Sequence, residues 1–561
     1  MINVKDSLRT DVLVKDALEI IYNRFIDAEE DCNGCLKSIR FKNADDFNFA
    51  FDVMDVLGRE CGTARAMLHL DSDQNVRSFT FREIMDMSSR AANYFVSLGI
   101  KKGDRVMLVL KRHYHFWTAI LALHKIGAVA IPATSQLQVD DFKYRFDFGG
   151  ISAVVCTCDD DVPAKVDKAE GLSRRLDLKI AVGGEKDGWY DFDSEYALMP
   201  EVFERTESSP CGRDPMIMFF TSGTTGYPKI VEHDFRYPLG HFVTAKYWHD
   251  IRPGGIHFTV ADTGWGKALW GKLYGQWLCG ACVFVYDFDR FRAAEILPMF
   301  KRFNIVTFCA PPTVYRMMIK ENLTDYDLSS IRCATTAGEV LNPEVFFKFK
   351  EQTGINIMEG FGQTETTLII ATLRGMKPKA GSMGRPIPSY NIELLNRDGR
   401  RCEPNEIGEI VIRSSPGDMC GLFREYFKSP ELTDEAWRGG VYHTCDLARM
   451  DEDGYYWYVG RCDDIIKSSG YKIGPSEVEN VIMELPYVLE CAVSGVPDEI
   501  RGQRIKATVV LARGTEASEA LKKDIQNYVK TMTAPYKYPR EVEFVDELPK
   551  TISGKVIRSM L

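Results

Sequence analysis

Short apolar runs alternate with amphipathic stretches through most of the chain. Over 80–98 apolar residues recur at helical spacing and stop at Gly99, a residue favoured just past a helix end, so a helix is predicted there. An apolar run at 106–110 follows, then a second predicted helix over 116–126 closed by Gly127, then a strand-like run at 128–132. Runs at 153–156, 180–182, 256–260, 282–285 and 306–309 have the same character, and helices predicted over 293–303 and 343–352 separate several of them. Strands that are apolar throughout and alternate with helices belong in parallel sheets covered on both faces, which makes the expected class α/β, with layered sheets in a large N-terminal domain.

The ends of the chain differ from this middle. Residues 1 to about 45 read as mixed and partly helical, with helix-period apolar positions over 17–26, and 48–57 alternates aromatic and polar residues, as expected of a segment docking this arm on the body. After Gly381 the strands shorten, at 391–395, 408–412 and 455–459, with turns at Asp398-Gly399 and Asp453-Gly454, which predicts a small β-rich unit. Gly460-Arg461-Cys462-Asp463 marks a boundary. A first domain over 1–461 is expected, followed over 462–561 by a small mobile α+β domain with helices at 476–485 and 517–532 and strands at 488–495 and 505–511.

Composition narrows the class. A chain of 561 residues exceeds one ordinary core, and 45% apolar with 27% charged residues describes a globular protein. The net charge of −10 argues against general binding to nucleic acid or to a membrane surface, and no run approaches the eighteen or so apolar residues of a membrane span. The 15 cysteines are odd in number and scattered, which fits reduced thiols better than a disulfide framework. Cys32/Cys35 and Cys279/Cys282 have metal-ligand spacing, but the pairs lie far apart and no histidine sits at finger spacing, against zinc. Met1 to Asp6 lacks a signal-peptide pattern and Ser559-Met560-Leu561 is not a peroxisomal address, so a cytoplasmic setting is expected.

Candidate chemistry begins at Thr221-Ser222-Gly223-Thr224-Thr225-Gly226, which leads through Tyr227 and Pro228 to Lys229. Glycines let a backbone approach phosphate, hydroxyls and N–H groups donate to it, and a lysine adds charge. The run is not a Walker A loop, because Lys229 is followed by Ile230 rather than Ser or Thr. Taken alone, it fits a phosphate cradle and a solvated polar loop equally well.

Further runs keep it company in order: Glu359-Gly360-Phe361-Gly362-Gln363-Thr364-Glu365, then His443-Thr444-Cys445-Asp446, then Gly460-Arg461, then Pro549-Lys550-Thr551-Ile552-Ser553-Gly554-Lys555. The series resembles the adenylate-forming superfamily of acyl-CoA synthetases, luciferases and peptide-synthetase adenylation domains, over nearly the whole chain. Ala261-Asp262-Thr263-Gly264-Trp265 and the run from Ser468 to Glu477 look most like the medium-chain acyl-CoA synthetase branch.

The resemblance implies an ATP-dependent ligase that joins a carboxylic acid to coenzyme A through an acyl-adenylate, releasing AMP and pyrophosphate. It places the 221–229 loop on the β- and γ-phosphates, Gly338 and Glu339 on the adenine side with Phe361 stacking on the base, and Thr364 on the α-phosphate. Asp446 would hold both ribose hydroxyls with Arg461 beside the sugar, Glu365 would bind Mg2+, and Lys555 would be the main catalytic residue. Asp463 matches the hinge, and Ser469, Gly470, Tyr471, Lys472, Arg501 and Lys530 match CoA contacts. Cys445 stands where glycine is frequent, and Lys472 where arginine is common, keeping the charge but losing the planar fork. For the acid, Trp265, Lys267, Trp270 and Gly362 are the candidates; bulky indoles would favour short, branched or aromatic acids. Each of these aromatics reads equally as ordinary core, and Lys267 as facing either substrate or solvent. The alternative acceptor is a carrier-protein thiol, although no carrier domain follows Lys555.

Overall fold

The computed structural model describes residue 18 and residues 21–561 except 159–160, 174–175, 222–227, 289, 470 and 552–555. Two large sheets carry the body. In one, Arg105–Val109, Val129–Pro132, Ala153–Thr157, Leu178–Val182 and Pro215–Thr221 run parallel, with Lys229–Asp234 and Glu425–Tyr426 added antiparallel at one edge. In the other, Arg65–Leu70, Cys282–Tyr286, Ile256–Thr259, Ile305–Cys309, Cys333–Thr336 and Ile357–Gly362 are parallel. Leu368–Ala371 and Arg385–Pro386 close one edge antiparallel, and Val76–Thr80 closes the other. Helices pack on these sheets and leave the central strands without solvent-facing positions, which is why those strands read as unbroken apolar runs.

The helices start and stop where local chemistry requires. Phe81–Ser97 opens with a reciprocal capping box between Thr80 and Glu83, and His115–Ile126 ends at Gly127 with φ 86°, a left-handed conformation that glycine adopts without strain. The buried amide of Asn48 accepts from the Ala50 amide at 2.9 Å and donates to the carbonyls of His124 and Pro210, so 48–57 docks on the body as expected. It does so as a helical turn over Ala50–Met54 continued by Asp55–Glu60, because its aromatics are buried on more than one side. Of the stretch with helix-period apolar positions over 17–26, Leu18 is helical, Ile21–Arg24 is a single turn, and Ile26 begins strand Ile26–Glu30, which pairs with Leu36–Phe41. Cross-strand pairing outweighs the helical spacing there.

The later strands form smaller sheets. Ile392–Leu395, Ile407–Ile412, Tyr442–Met450 and Tyr456–Arg461 make an antiparallel four-stranded unit. Ile466–Ser468, Tyr471–Ile473, Val488–Asp498, Gly502–Leu511 and Glu541–Phe544 pair only with one another among the described residues, with helices Pro475–Ile482 and Glu519–Met532 alongside. The C-terminal Arg558 reaches back to Glu479 at 2.7 Å and Asp464 at 3.2 Å, tying the tail to the segment where the two parts of the chain meet. Among the described residues no helix is long and apolar enough to cross a membrane.

Candidate active site

The candidate residues gather at the carboxyl ends of parallel strands, where open α/β sheets bind their ligands. Thr221 ends Pro215–Thr221, Trp265 follows Ile256–Thr259, Gly338 follows Cys333–Thr336, and Phe361 and Gly362 end Ile357–Gly362. Ser222, Gly223, Thr224, Thr225 and Gly226 lie outside the described residues. Their flanks form a hairpin in which Thr221 pairs with Lys229. The Lys229 ammonium lies 5.0 Å from the centre of the Tyr426 ring, and the Tyr426 hydroxyl donates to Glu365 Oε1 at 2.8 Å. A cation, a phenol and a carboxylate therefore stand in successive contact, beginning at the residue that closes the hairpin. Tyr426 carried no signal in the sequence, because it sits in a two-residue strand recruited from a distant segment.

The run after Gly362 is held from behind. His233 Nε2 donates to the Thr364 carbonyl at 2.7 Å, and burial pushes its imidazole down to about 4, so the ring is neutral with the proton on Nε2. The Gln363 amide donates to Asp446 Oδ2 at 2.5 Å and to the Thr444 carbonyl at 2.8 Å, while Tyr442 donates to its oxygen at 2.7 Å. Asp446 is only 4% exposed. Its other oxygen accepts from Tyr458 at 3.0 Å, and Arg461, its cross-strand neighbour, approaches to 3.5 Å. Neutral donors on both oxygens fix the carboxylate's orientation, and Arg461 offsets part of its charge. Cys445 adopts φ 56°, the left-handed backbone that explains why glycine is frequent at this place in the family it resembles.

Phe361 lies 6.1 Å from the Tyr458 ring, tilted by 39°. Gly338 has φ 100° and open space around the position a Cβ would take, so its backbone, rather than lack of room, calls for glycine. Glu339 accepts from Thr313 at 2.8 Å. Glu359 is enclosed, bonded to the Leu341 amide, and burial pushes its carboxyl up to about 8, so it stands behind the loop on which Gly338 and Glu339 sit. Gly360 lies one residue further along that strand.

On the acid side, Trp265 precedes helix Gly266–Lys272 and Trp270 lies within it. A Cβ on Gly362 would stand 2.5 Å from the tip of the Trp270 indole and 2.3 Å from the Thr367 carbonyl. On the expectation that Trp270 lines an acid pocket, Gly362→Ala should displace the indole, and to a lesser extent the backbone at Thr367, and raise KM for the acid about tenfold, most for the bulkiest acids. Acid-dependence curves across a size series measure this; a uniform loss for all acids would mean that the strand itself had shifted. Lys267 donates to the Ala337 carbonyl at 2.7 Å, and burial lowers its pKa. It thus joins the acid-side helix to the loop of Gly338.

In the C-terminal part, Asp463 lies 3.4 Å from Arg461. Ser469 has φ 51° and its amide donates to the Arg501 carbonyl at 2.9 Å. Tyr471 stacks on Tyr536 with ring centres 4.0 Å apart, and Lys530 and Arg540 both face the Tyr538 ring, at 5.7 and 3.8 Å. Arg504, Lys506 and Lys537 are paired with Glu541, Glu543 and Glu477. Gly470, the Lys472 side chain and Lys555 lie outside what is described; Lys550 and Val556, which flank the Lys555 loop, form an antiparallel bridge.

With this geometry in view, comparison with known proteins is direct. The AMP-binding enzyme family matches residues 59–427, and the AMP-binding enzyme C-terminal domain matches 477–555. Acyl-coenzyme A synthetase ACSM5, mitochondrial, of Homo sapiens is 41% identical over 527 residues, covering 92% of this chain and 90% of its own. Acyl-coenzyme A synthetase ACSM3, mitochondrial, of Rattus norvegicus is 39% identical over the same shares. Among solved structures, the anthranilate CoA ligase AuaEII in complex with anthranoyl-AMP superposes with a TM-score of 0.82 at 28% identity, covering 92% of this chain and 96% of that one. A benzoate CoA ligase from Burkholderia xenovorans LB400 gives 0.79 at 26% identity, covering 92% and 99%. The chain belongs to the AMP-binding enzymes, the adenylate-forming superfamily, in its acyl-CoA synthetase branch: an AMP-forming acid–thiol ligase. The cytoplasmic expectation is overturned, since the sequence relatives are mitochondrial by name. Free thiols report only a reducing compartment, and more than one compartment is reducing.

Proposed function

We propose that the chain activates a short- to medium-chain, branched or aromatic carboxylic acid and passes it to coenzyme A. The observation that supports this most is the Asp446 carboxylate, oriented by Gln363 and Tyr458 and opening beside Phe361, at the ends of the strands that carry Thr221, Trp265 and Gly338. In the first step a carboxylate oxygen attacks the α-phosphorus of ATP and pyrophosphate leaves. Thr364 holds the α-phosphate, Thr221, Lys229 and the residues between them hold the outer phosphates, and Lys555 stabilises the charge that develops. In the second step the CoA sulfur attacks the acyl carbonyl carbon, its proton is lost, and AMP leaves.

The oxygen donors beside the phosphate loop suit a hard cation, and Glu365, oriented by Tyr426, would hold Mg2+. Bound there, the ion would neutralise phosphate charge. Residues 1–461 act as the adenylation domain and 462–561 as the mobile domain, turning about Asp463 to bring Ser469, Gly470, Tyr471, Lys472, Arg501 and Lys530 to CoA; the separate strand pairing of the C-terminal sheet supports this division. AMP release with ATP and magnesium across acids from acetate through branched acids to octanoate and benzoate, with and without CoA, tests the reading. CoA-dependent turnover with a preferred acid is expected. Pyrophosphate exchange that CoA does not accelerate would point to another acceptor.

A further inference from the structure

Two lysines are buried almost completely among the described residues, each 1% exposed, and they differ in what surrounds them. Lys125 has a carboxylate, Asp55, at 2.7 Å and the Ser89 hydroxyl at 2.9 Å. Among the described residues the Lys272 ammonium has one hydrogen bond, to the Ala261 carbonyl at 2.6 Å. Asp262 and Asp287 face it without such a bond, so it is held less firmly than Lys125, and burial of an ammonium on one neutral acceptor costs stability. Its acceptor opens the segment 261–265, the connection that delivers Trp265. That segment is gripped at successive residues: Arg112 lies 3.6 Å from Asp262, Thr263 donates to the Lys111 carbonyl, and the Asp262 side chain accepts from the Gly264 amide at 2.9 Å. Lys272 is itself held, because its carbonyl accepts from the buried Trp117 indole at 2.7 Å.

We propose that Lys272 is a positioning residue for acid specificity: from the far end of the helix that Trp265 begins, it anchors Ala261 and so fixes the indole that walls the acid pocket. This rests on the reading of Trp265 as pocket wall. Lys272 touches no substrate in this arrangement. Its effect passes through Trp265 and therefore falls on the acid rather than on ATP. The charged groups facing Lys272 are Arg112, Asp262 and Asp287, and the histidines nearby, His69 and His257, are held neutral by burial at about 4 and about 3. Burial brings the Lys272 ammonium down to about 7. The charge-assisted bond to Ala261 is thus complete below that pH and weakens above it.

The test uses the full-length chain with Lys272→Met, which keeps length and bulk but removes the donor. KM for the acid is expected to rise about tenfold with kcat within twofold, KM for ATP unchanged and the melting temperature equal or higher. In the unmodified enzyme kcat/KM for the acid should fall as pH rises through about 7, and this limb should be missing from the variant. A lower melting temperature with acid KM intact would make Lys272 structural and overturn the proposal. So would a wild-type acid profile flat across that range, a result that requires no variant to fold. Trp265→Ala separates the two layers. If it shifts acid preference while Lys272→Met does not, only the anchor fails; if it shifts nothing, the pocket reading fails and the anchor with it.

Discussion

Lys555→Ala is expected to slow acyl-adenylate formation by a factor of about 100 to 1,000, the usual cost of deleting one donor aimed at charge that develops in a transition state. Pyrophosphate exchange measures this half-reaction. Thioester formation from a supplied acyl-adenylate should stay within about threefold of wild type, because the thiol attacks after pyrophosphate has left and the charge that Lys555 offsets is no longer forming. On the proposed function, the two half-reactions separate two faces of the C-terminal domain: the lysine would serve the first, and the face carrying Tyr471 and Arg501 the second. Equal loss in both would mean that the C-terminal domain acts as one surface throughout, and the division of labour would fall.

The second large effect is expected at Asp446. Its oxygens accept from Gln363 at 2.5 Å and Tyr458 at 3.0 Å, so the carboxylate is already aimed before any ribose arrives. Two charge-assisted hydrogen bonds to a diol are worth about 1.5 kcal/mol or more each, and their loss in Asp446→Ala corresponds to roughly a 100-fold fall in kcat/KM for ATP. The same change takes their Asp446 partner from the Tyr458 hydroxyl and from the Gln363 amide, which keeps only the Thr444 carbonyl, so a drop in melting temperature should accompany it. Tyr458→Phe isolates the orientation: it keeps the charge and removes one aiming bond, and about a fivefold rise in KM for ATP is expected. A Tyr458→Phe effect as large as that of Asp446→Ala would show that the phenol, rather than the carboxylate, meets the nucleotide.

How much of this was legible beforehand can be seen residue by residue. The parallel strands announced themselves as apolar runs because both their faces are covered, and the helix after Thr80 did so through its helical spacing and the glycine that closes it. Arg461 stood in a recognisable run, but its pairing with Asp446 came from antiparallel register between segments joined through a turn. Over 21–26 the helical spacing misled, because it is also met by a turn followed by a paired strand.

Local pattern was enough for the alternation of strands and helices and for the order of the chemical motifs, since both depend on neighbours a few residues apart. Folding alone settled which groups aim them: Tyr426 at Glu365, Gln363 and Tyr458 at Asp446, Lys267 on Ala337 and Lys272 on Ala261. Most of these partners are separated by tens of residues or more, and even the nearer ones meet through turns and helix ends. Hydrogen bonding and burial depend on distance in space, and no spacing along the chain encodes them.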